Sequence, residues 1–234
     1  MSGSHEQFKY SGTDNLEVML EAVKYNRFLT DEVLKHLVGN APVLDFGAGV
    51  GTFSLMVRES GVGVDCFEVD KAHCDVLLEN GFQFFSSAEE VADESYDYIF
   101  SLNVFEHIED DLGAAKAAFR MLRPGGRIYI YVPAFQILFG DMDRKVEHFR
   151  RYRRSSLQRL VEGAGFETQQ TGYVDFIGYF ATLAYNAISN GKGDVNTKSI
   201  RIYDRLVFPV SRLIDKLSGP FLGKNAFVVA NKPQ

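Results

Sequence analysis

The stretch VLDFGAGVGTFS, residues 43–54, decides how the chain folds. A short apolar run ends at Asp45 and Phe46, and Gly47, Gly49 and Gly51 follow at alternate positions before a helical pattern begins. Glycines placed this way allow a tight turn after a strand and a close approach of backbone to a ligand. A dinucleotide fingerprint would read G-x-G-x-x-G. Its third glycine would then fall at position 52, where the chain has Thr52. Several nucleotide cofactors use a strand-to-helix glycine turn, so the flanking sequence has to choose among them.

Outward from this loop, strand and helix alternate. Leu16 to Leu37 reads as a helix, with Leu16, Met19, Leu20, Val23, Phe28 and Leu29 partly in helical register, and Pro42 breaks the pattern. Val43 to Phe46 is a short buried strand and Thr52 to Glu59 a helix. Further strands are expected over Val64–Val69, Phe82–Phe85, Tyr96–Leu102 and Arg127–Val132. Helices are expected over Lys71–Glu79, closed by Asn80-Gly81, and over Asp111–Leu122, which runs into the turn Pro124-Gly125-Gly126. Such alternation builds a parallel sheet covered on both faces, which binds ligands at the carboxyl ends of its strands. A helix over Ser155–Glu162, with Ser155 and Gln158 as a capping box, leads to strands at Phe166–Tyr173 and Asn225–Ala230. Asp175 to Gly223, between them, is too long for a simple connection. Ile202, Leu206, Val210, Leu213 and Leu217 form a helical stripe there, and Pro209 should kink it or mark a new start.

Composition narrows the class. The chain has 234 residues, 46% hydrophobic and 24% charged, with a net charge of -6. That is long enough for a sizeable core, and the acidic balance argues against nucleic acid as a partner. Cys66 and Cys74 are too few for a disulfide framework, which points to a reducing, cytoplasmic setting. No secretory signal pattern opens the chain, and no run of about 18 apolar residues supports a transmembrane segment.

Glu68 closes the second expected strand, where a carboxylate can accept two hydrogen bonds from ribose hydroxyls. With it the motifs line up: VLDFGAGVG, CFEVD, YDYIFSLNVFEHIED and MLRPGGRIYIYVP, in order from Pro42 to Pro133, resemble those of class I S-adenosylmethionine-dependent methyltransferases. The resemblance implies a Rossmann-like α/β fold: a mostly parallel seven-stranded sheet, helices on both faces and an insertion before the last strand. It also implies S-adenosyl-L-methionine as cofactor and S-adenosyl-L-homocysteine as product. The backbone of Gly47, Ala48 and Gly49 would face the methionine part, with Gly51 opening the following helix and Asp45 near the ammonium. Glu68 would hold the ribose, Val69 would lie against the adenine, and Ser87 and Ala88 fall at the adenine edge. Asn103 would lie beside the sulfonium, Glu106 and His107 belong to the NVFEHI signature, and His107 and Gly51 are counted with the cofactor-binding residues.

The acceptor side follows the fifth strand. The pattern D…H-x-R-R-Y-x-R-x-x-L…AGF resembles a bacterial subgroup linked to glycan and secondary-metabolite pathways. Residues 144–159 hold seven Arg or Lys against Glu147 alone, which reads either as a solvated surface or as an anion-facing rim. His148 is the candidate general base, and a structural histidine bonded to Asp141 or Asp143 is the alternative. Arg151, Tyr152 and Tyr25 are the candidate acceptor-binding residues. No cluster has metal-ligand spacing, so no metal is expected. The expected organisation is one domain over 1–234, with residues 1–40 as a helical lid and 175–223 as a helical insertion near the acceptor pocket. The expected function is methyl transfer, at oxygen, to a small-molecule or glycan- or lipid-linked acceptor. A non-catalytic cofactor-binding module and a nicotinamide-dependent oxidoreductase are the rivals. The apolar face of the insertion would meet the acceptor, a second subunit or a membrane surface, and the oligomeric state is left open.

Overall fold

The computed structural model describes residues 21–38, 42–188 and 197–234. Leu16, Met19 and Leu20 of the expected first helix lie outside them. That helix, α1, spans Val23–Lys35. After it come β1 (Val43–Phe46), α2 (Thr52–Glu59), β2 (Asp65–Phe67), α3 (Lys71–Glu79), β3 (Phe84–Phe85), β4 (Tyr96–Leu102), α4 (Asp111–Met121) and β5 (Leu122–Pro133). A short helix α5 (Asp141–Lys145), then α6 (Arg154–Gly163) and β6 (Glu167–Val174), precede the helical unit α7 (Phe176–Ile188), α8 (Thr197–Ile202) and α9 (Phe208–Ser218). The chain closes with β7 (Asn225–Asn231).

The strands form one seven-stranded sheet in the order β3-β2-β1-β4-β5-β7-β6. β1 pairs in parallel with both β2 and β4, which makes their junction the point where strand order reverses. β7 runs antiparallel between β5 and β6. Its first residues therefore start at the edge where the parallel strands end. Alternation along the strands divides the core. Ile99, Ile128 and Ile130 pack on one face, against α4 and α6, and Tyr98, Phe100, Tyr129 and Tyr131 pack on the other, towards α1 and α2.

Local chemistry sets the element ends. Asp70 caps α3 by accepting from the amides of Ala72 and His73 at 2.8 and 3.2 Å. Gly125, with φ +79°, turns the exposed Arg123–Gly125 segment, and the β4–β5 register shifts there. The expected turn is thus an irregularity within the bounds of β5. At α6 the capping hydroxyl belongs to Ser156, which accepts from the Arg153 amide at 2.9 Å, and not to Ser155. Pro209 sits in the first turn of α9, directly after a π-helical turn over Tyr203–Val207. It starts a helix, a position where its missing N–H costs nothing.

Candidate active site

A cavity of about 1110 Å³ opens at the carboxyl ends of β1, β2, β4 and β5. Sites for drug-sized ligands reach roughly 1,000 Å³, so the space holds a nucleotide-sized cofactor with an acceptor beside it. Its floor is the loop leaving β1. The amides of Gly47 and Ala48 both donate to the Phe67 carbonyl, at 2.8 and 3.0 Å. Gly47 has φ +85°, and a β-carbon there would lie 2.4 Å from Cγ1 of Val104, so only glycine fits. Gly47, Ala48 and Gly49 line the cavity. Gly51 does not: a β-carbon at that position would meet Leu77 of α3 at 2.8 Å, so this glycine serves helix packing.

Glu68 fixes the same loop. Its Oε2 accepts from the Gly49 amide at 2.7 Å and its Oε1 from the Asp70 amide at 2.8 Å. A carboxylate has about four lone-pair directions, so each oxygen keeps one for a ligand. Val69 stands 68% exposed at the cavity rim. Asn103 also lines the cavity, in a left-handed conformation (φ +55°) held by its amide's 2.8 Å bond to the Tyr131 carbonyl.

Besides Gly51, three further expected cofactor residues do not line the cavity. Asp45 is buried behind the loop rather than on the cavity wall, where it accepts a 2.6 Å bond from the Ser54 hydroxyl. Burial pushes its carboxyl up to about 7. Ser87 and Ala88 do not line the cavity; in that turn the Ser86 and Ser87 amides both donate to the exposed Glu90.

A polar cluster also lines the cavity. The Nδ1 of His148 lies 2.8 Å from Oδ1 of Asp143. Arg151 grips the same carboxylate through Nε at 2.7 Å and Nη2 at 3.0 Å. Although burial works the other way, these hydrogen bonds hold Asp143 down to about 2. The Nε2 of His148 is 3.9 Å from Oε1 of Glu106. Glu106 is fully buried, and among the described residues neither of its carboxyl oxygens has a hydrogen-bond partner. Burial pushes it up to about 8, so it carries a proton at neutral pH. His107 packs edge-on against His148, with ring centroids 4.5 Å apart. Burial, followed by the neighbouring His148, pushes His107 down to about 4, so its ring is neutral. Ligand atoms of Glu106, His107 and His148 lie within 4.8 Å of one another. Tetrahedral zinc brings such atoms to roughly 3.3 Å, so an ion would have to draw the three together.

Glu106 and Asp45 predict a pH dependence of stability. Glu106 keeps its proton up to about pH 8 when folded but releases it near 4.5 when unfolded, and Asp45 behaves likewise between 3.8 and about 7. The unfolded chain binds fewer protons in that window. The stability that these two groups contribute is therefore fullest in acid and is lost as pH rises towards 8, while His107, held down to about 4, contributes in the opposite sense between about 4 and 6.5. Glu106→Gln should flatten the dependence, raising stability at pH 8 by on the order of 3 kcal/mol relative to the parent. Urea unfolding from pH 5 to 8 checks this, and an unchanged slope would show Glu106 already ionised in the folded chain.

The expected acceptor residues divide. Tyr25 lines the cavity and its hydroxyl lies 3.3 Å from that of Tyr131. Arg151 lines it too, but its guanidinium is committed to Asp143. Tyr152 points elsewhere, with its buried hydroxyl donating to Asp111 at 2.7 Å and lying 3.1 Å from the Phe105 carbonyl. Of the other arginines in this segment, Arg144 pairs with Asp141 and Arg150 with Asp111, and Arg144, Arg150, Arg153, Arg154 and Arg159 do not line this cavity. Sequence reasoning missed Lys224, which lines the cavity just before β7 and whose ammonium makes no hydrogen bond or ion pair among the described residues. Burial pushes its ammonium down, with Asp175, Arg151 and Asp143 the charges around it. Nothing local marks it; only the reversal of β7 brings it to this edge.

A protein-family model described as a methyltransferase domain matches residues 20–171. A Mycolicibacterium smegmatis protein named a probable S-adenosylmethionine-dependent methyltransferase is 29% identical over 146 residues, 59% of this chain and 56% of that protein. The chain thus spans about half the length of that relative. A ubiquinone biosynthesis O-methyltransferase of Pseudomonas paraeruginosa is 26% identical, over 63% of this chain and 69% of its own. The fold is shared with a Burkholderia thailandensis 1,6-didemethyltoxoflavin-N1-methyltransferase solved with S-adenosylhomocysteine. That structure has a TM-score of 0.60 at 17% identity, covering 96% of this chain and 84% of the other.

Proposed function

The chain belongs to the class I S-adenosylmethionine-dependent methyltransferases, and from that membership we propose that it methylates a hydroxyl of a small acceptor carrying an acidic group. The observation that carries this reading is the cavity itself, a single space lined by Glu68 and the glycine loop and also by His148, Asp143 and Lys224. The residues fit the cofactor: Glu68 keeps two lone-pair directions, and Gly49 leaves open space where a side chain would stand. When bound, S-adenosylmethionine supplies an electrophilic methyl group on a cationic sulfur.

Each residue has a role in this scheme. Glu68 holds the ribose hydroxyls, Val69 covers the adenine, and the backbone of Gly47 to Gly49 faces the methionine part. Asn103 flanks the sulfonium end. His148 takes the acceptor's hydroxyl proton at Nε2 while Asp143 holds Nδ1–H, and Arg151 fixes Asp143 in turn. That makes Arg151 a positioning residue rather than an acceptor ligand. Tyr25, from the proposed lid, packs over the acceptor. Lys224 takes the place that the arginines were expected to fill and meets the acidic group. Holding hydroxyl and methyl in attack geometry contributes up to roughly 7–11 kcal/mol.

The similarity to a ubiquinone biosynthesis O-methyltransferase supports oxygen as the methylated atom. Thr52 in place of a third glycine, together with the family match, argues against a nicotinamide cofactor. The test uses methyl-labelled S-adenosylmethionine with dihydroxybenzoates, the matching uncharged catechols and aromatic amines. Label should enter the phenolic oxygens of the acids at least tenfold faster than those of the catechols. Transfer confined to the amines, or equal rates for acids and catechols, would overturn the acceptor class.

A further inference from the structure

Among the described residues, α8, the π-turn and α9 form a helix turned inside out. The face towards the protein carries Asp204, Ser211 and Asp215 beside Phe208, all buried. The apolar stripe faces outward: Ile202, Leu206, Val210, Leu213 and Leu217 are 49% to 82% exposed. The buried acids explain the inversion, because each serves the start of another helix. Asp204 accepts from the amides of Lys24 and Tyr25 in the first turn of α1, at 2.9 and 2.8 Å. Asp215 accepts from those of Asp175 and Phe176 at the start of α7, both at 2.9 Å. The sequence of α7 contains no charged residue, and Phe180, Leu183 and Ile188 on it are also exposed. Isolated exposed apolar residues are ordinary; a contiguous band of this length marks an interaction surface.

We propose that this outer face docks on an anionic membrane surface. Charge selects that occupant. Over residues 176–188 and 197–218 the only acids are Asp204 and Asp215, both buried, whereas Arg205 and Lys216 are exposed. The surface therefore presents apolar side chains edged by cations, on a chain whose net charge is -6. That is the pattern of a helix lying in the headgroup region. A second copy fits poorly, since a two-fold interface sets a patch against itself and would bring these cations together. The inner sides of the same helices, through Ala181, Tyr185, Ile200 and Tyr203, line the cavity. A docked chain would thus hold its acceptor cavity next to the lipid.

The experiment is co-sedimentation of the full chain with vesicles of phosphatidylcholine alone or mixed with phosphatidylglycerol. S-adenosylhomocysteine affinity is measured in parallel as the control for fold and cofactor site. The parent should pellet with the anionic vesicles at least tenfold more than with the zwitterionic ones, and salt should weaken the binding. Leu206→Asp with Leu213→Asp should abolish pelleting, and Arg205→Glu with Lys216→Glu should reduce it severalfold, with cofactor-product affinity unchanged in both. A parent that stays in the supernatant, or an aspartate variant that pellets as the parent does, overturns the proposal. So does a dimer in sedimentation velocity that the aspartates dissociate without any effect on vesicle binding. Loss of S-adenosylhomocysteine binding by the parent would instead count against the methyltransferase reading, leaving the vesicle result to stand by itself.

Discussion

Replacing Glu68 with alanine should weaken S-adenosylhomocysteine binding by at least tenfold and as much as roughly 10⁴-fold, because two charge-assisted hydrogen bonds of about 1.5–3 kcal/mol each are lost. The upper part of that range is reachable because the carboxylate has two tasks. It offers lone pairs to the ligand and also fixes the Gly49 amide at 2.7 Å, so its removal loosens the loop that forms the cavity floor. Glu68→Gln separates the two. It keeps an oxygen for one backbone amide but loses charge and acceptor capacity, and it should fall between alanine and parent. Calorimetry on the three proteins reads this directly. Equal affinities would remove Glu68 from the cofactor site.

His148→Asn should lower kcat by 10²- to 10⁴-fold, the usual contribution of a positioned general base, while cofactor affinity stays within about twofold. The variant retains a group able to bond Asp143 but has no ring nitrogen to take a proton. Acceptors that are already ionised at the assay pH should lose far less than those that are not, which a purely structural histidine would not produce. Arg151→Lys tests the support behind it. The two bonds to Asp143, at 2.7 and 3.0 Å, need a planar fork that lysine lacks. A fall in kcat with an altered pH profile and an unchanged cofactor affinity is expected. A loss of cofactor binding in either variant would place the cluster in the cofactor site rather than beside it.

Much of this was legible in the chain because the signals are local. Thr52–Glu59, Lys71–Glu79 and Tyr96–Leu102 hold their expected bounds, since caps, glycines and a run of strand formers fix them within a few residues. The glycine loop and Glu68 were readable for the same reason. What could not be read depended on partners that only folding brings together. Arg151 looked available until Asp143 folded against it, and Tyr152 until Asp111, 41 residues away, took its hydroxyl. Lys224 carries no local mark at all. The stripe from Ile202 to Leu217 was correctly found as a period, but a period does not say which side faces the protein. Two aspartates recruited as caps by other helices turned it outward.

Those two caps bear on how the cavity exchanges its contents. α1 brings Tyr25 to one wall and α7 brings Tyr185 to another, and both helices are fastened at their first turns to a single rod. Walls tied to one rod do not swing separately. Admission of an acceptor and escape of its methylated form would then share a single rate-setting motion, and a substitution at Asp204 or Asp215 would change both rates together. The timing of turnover would be set by two carboxylates bonded to the first turns of other helices.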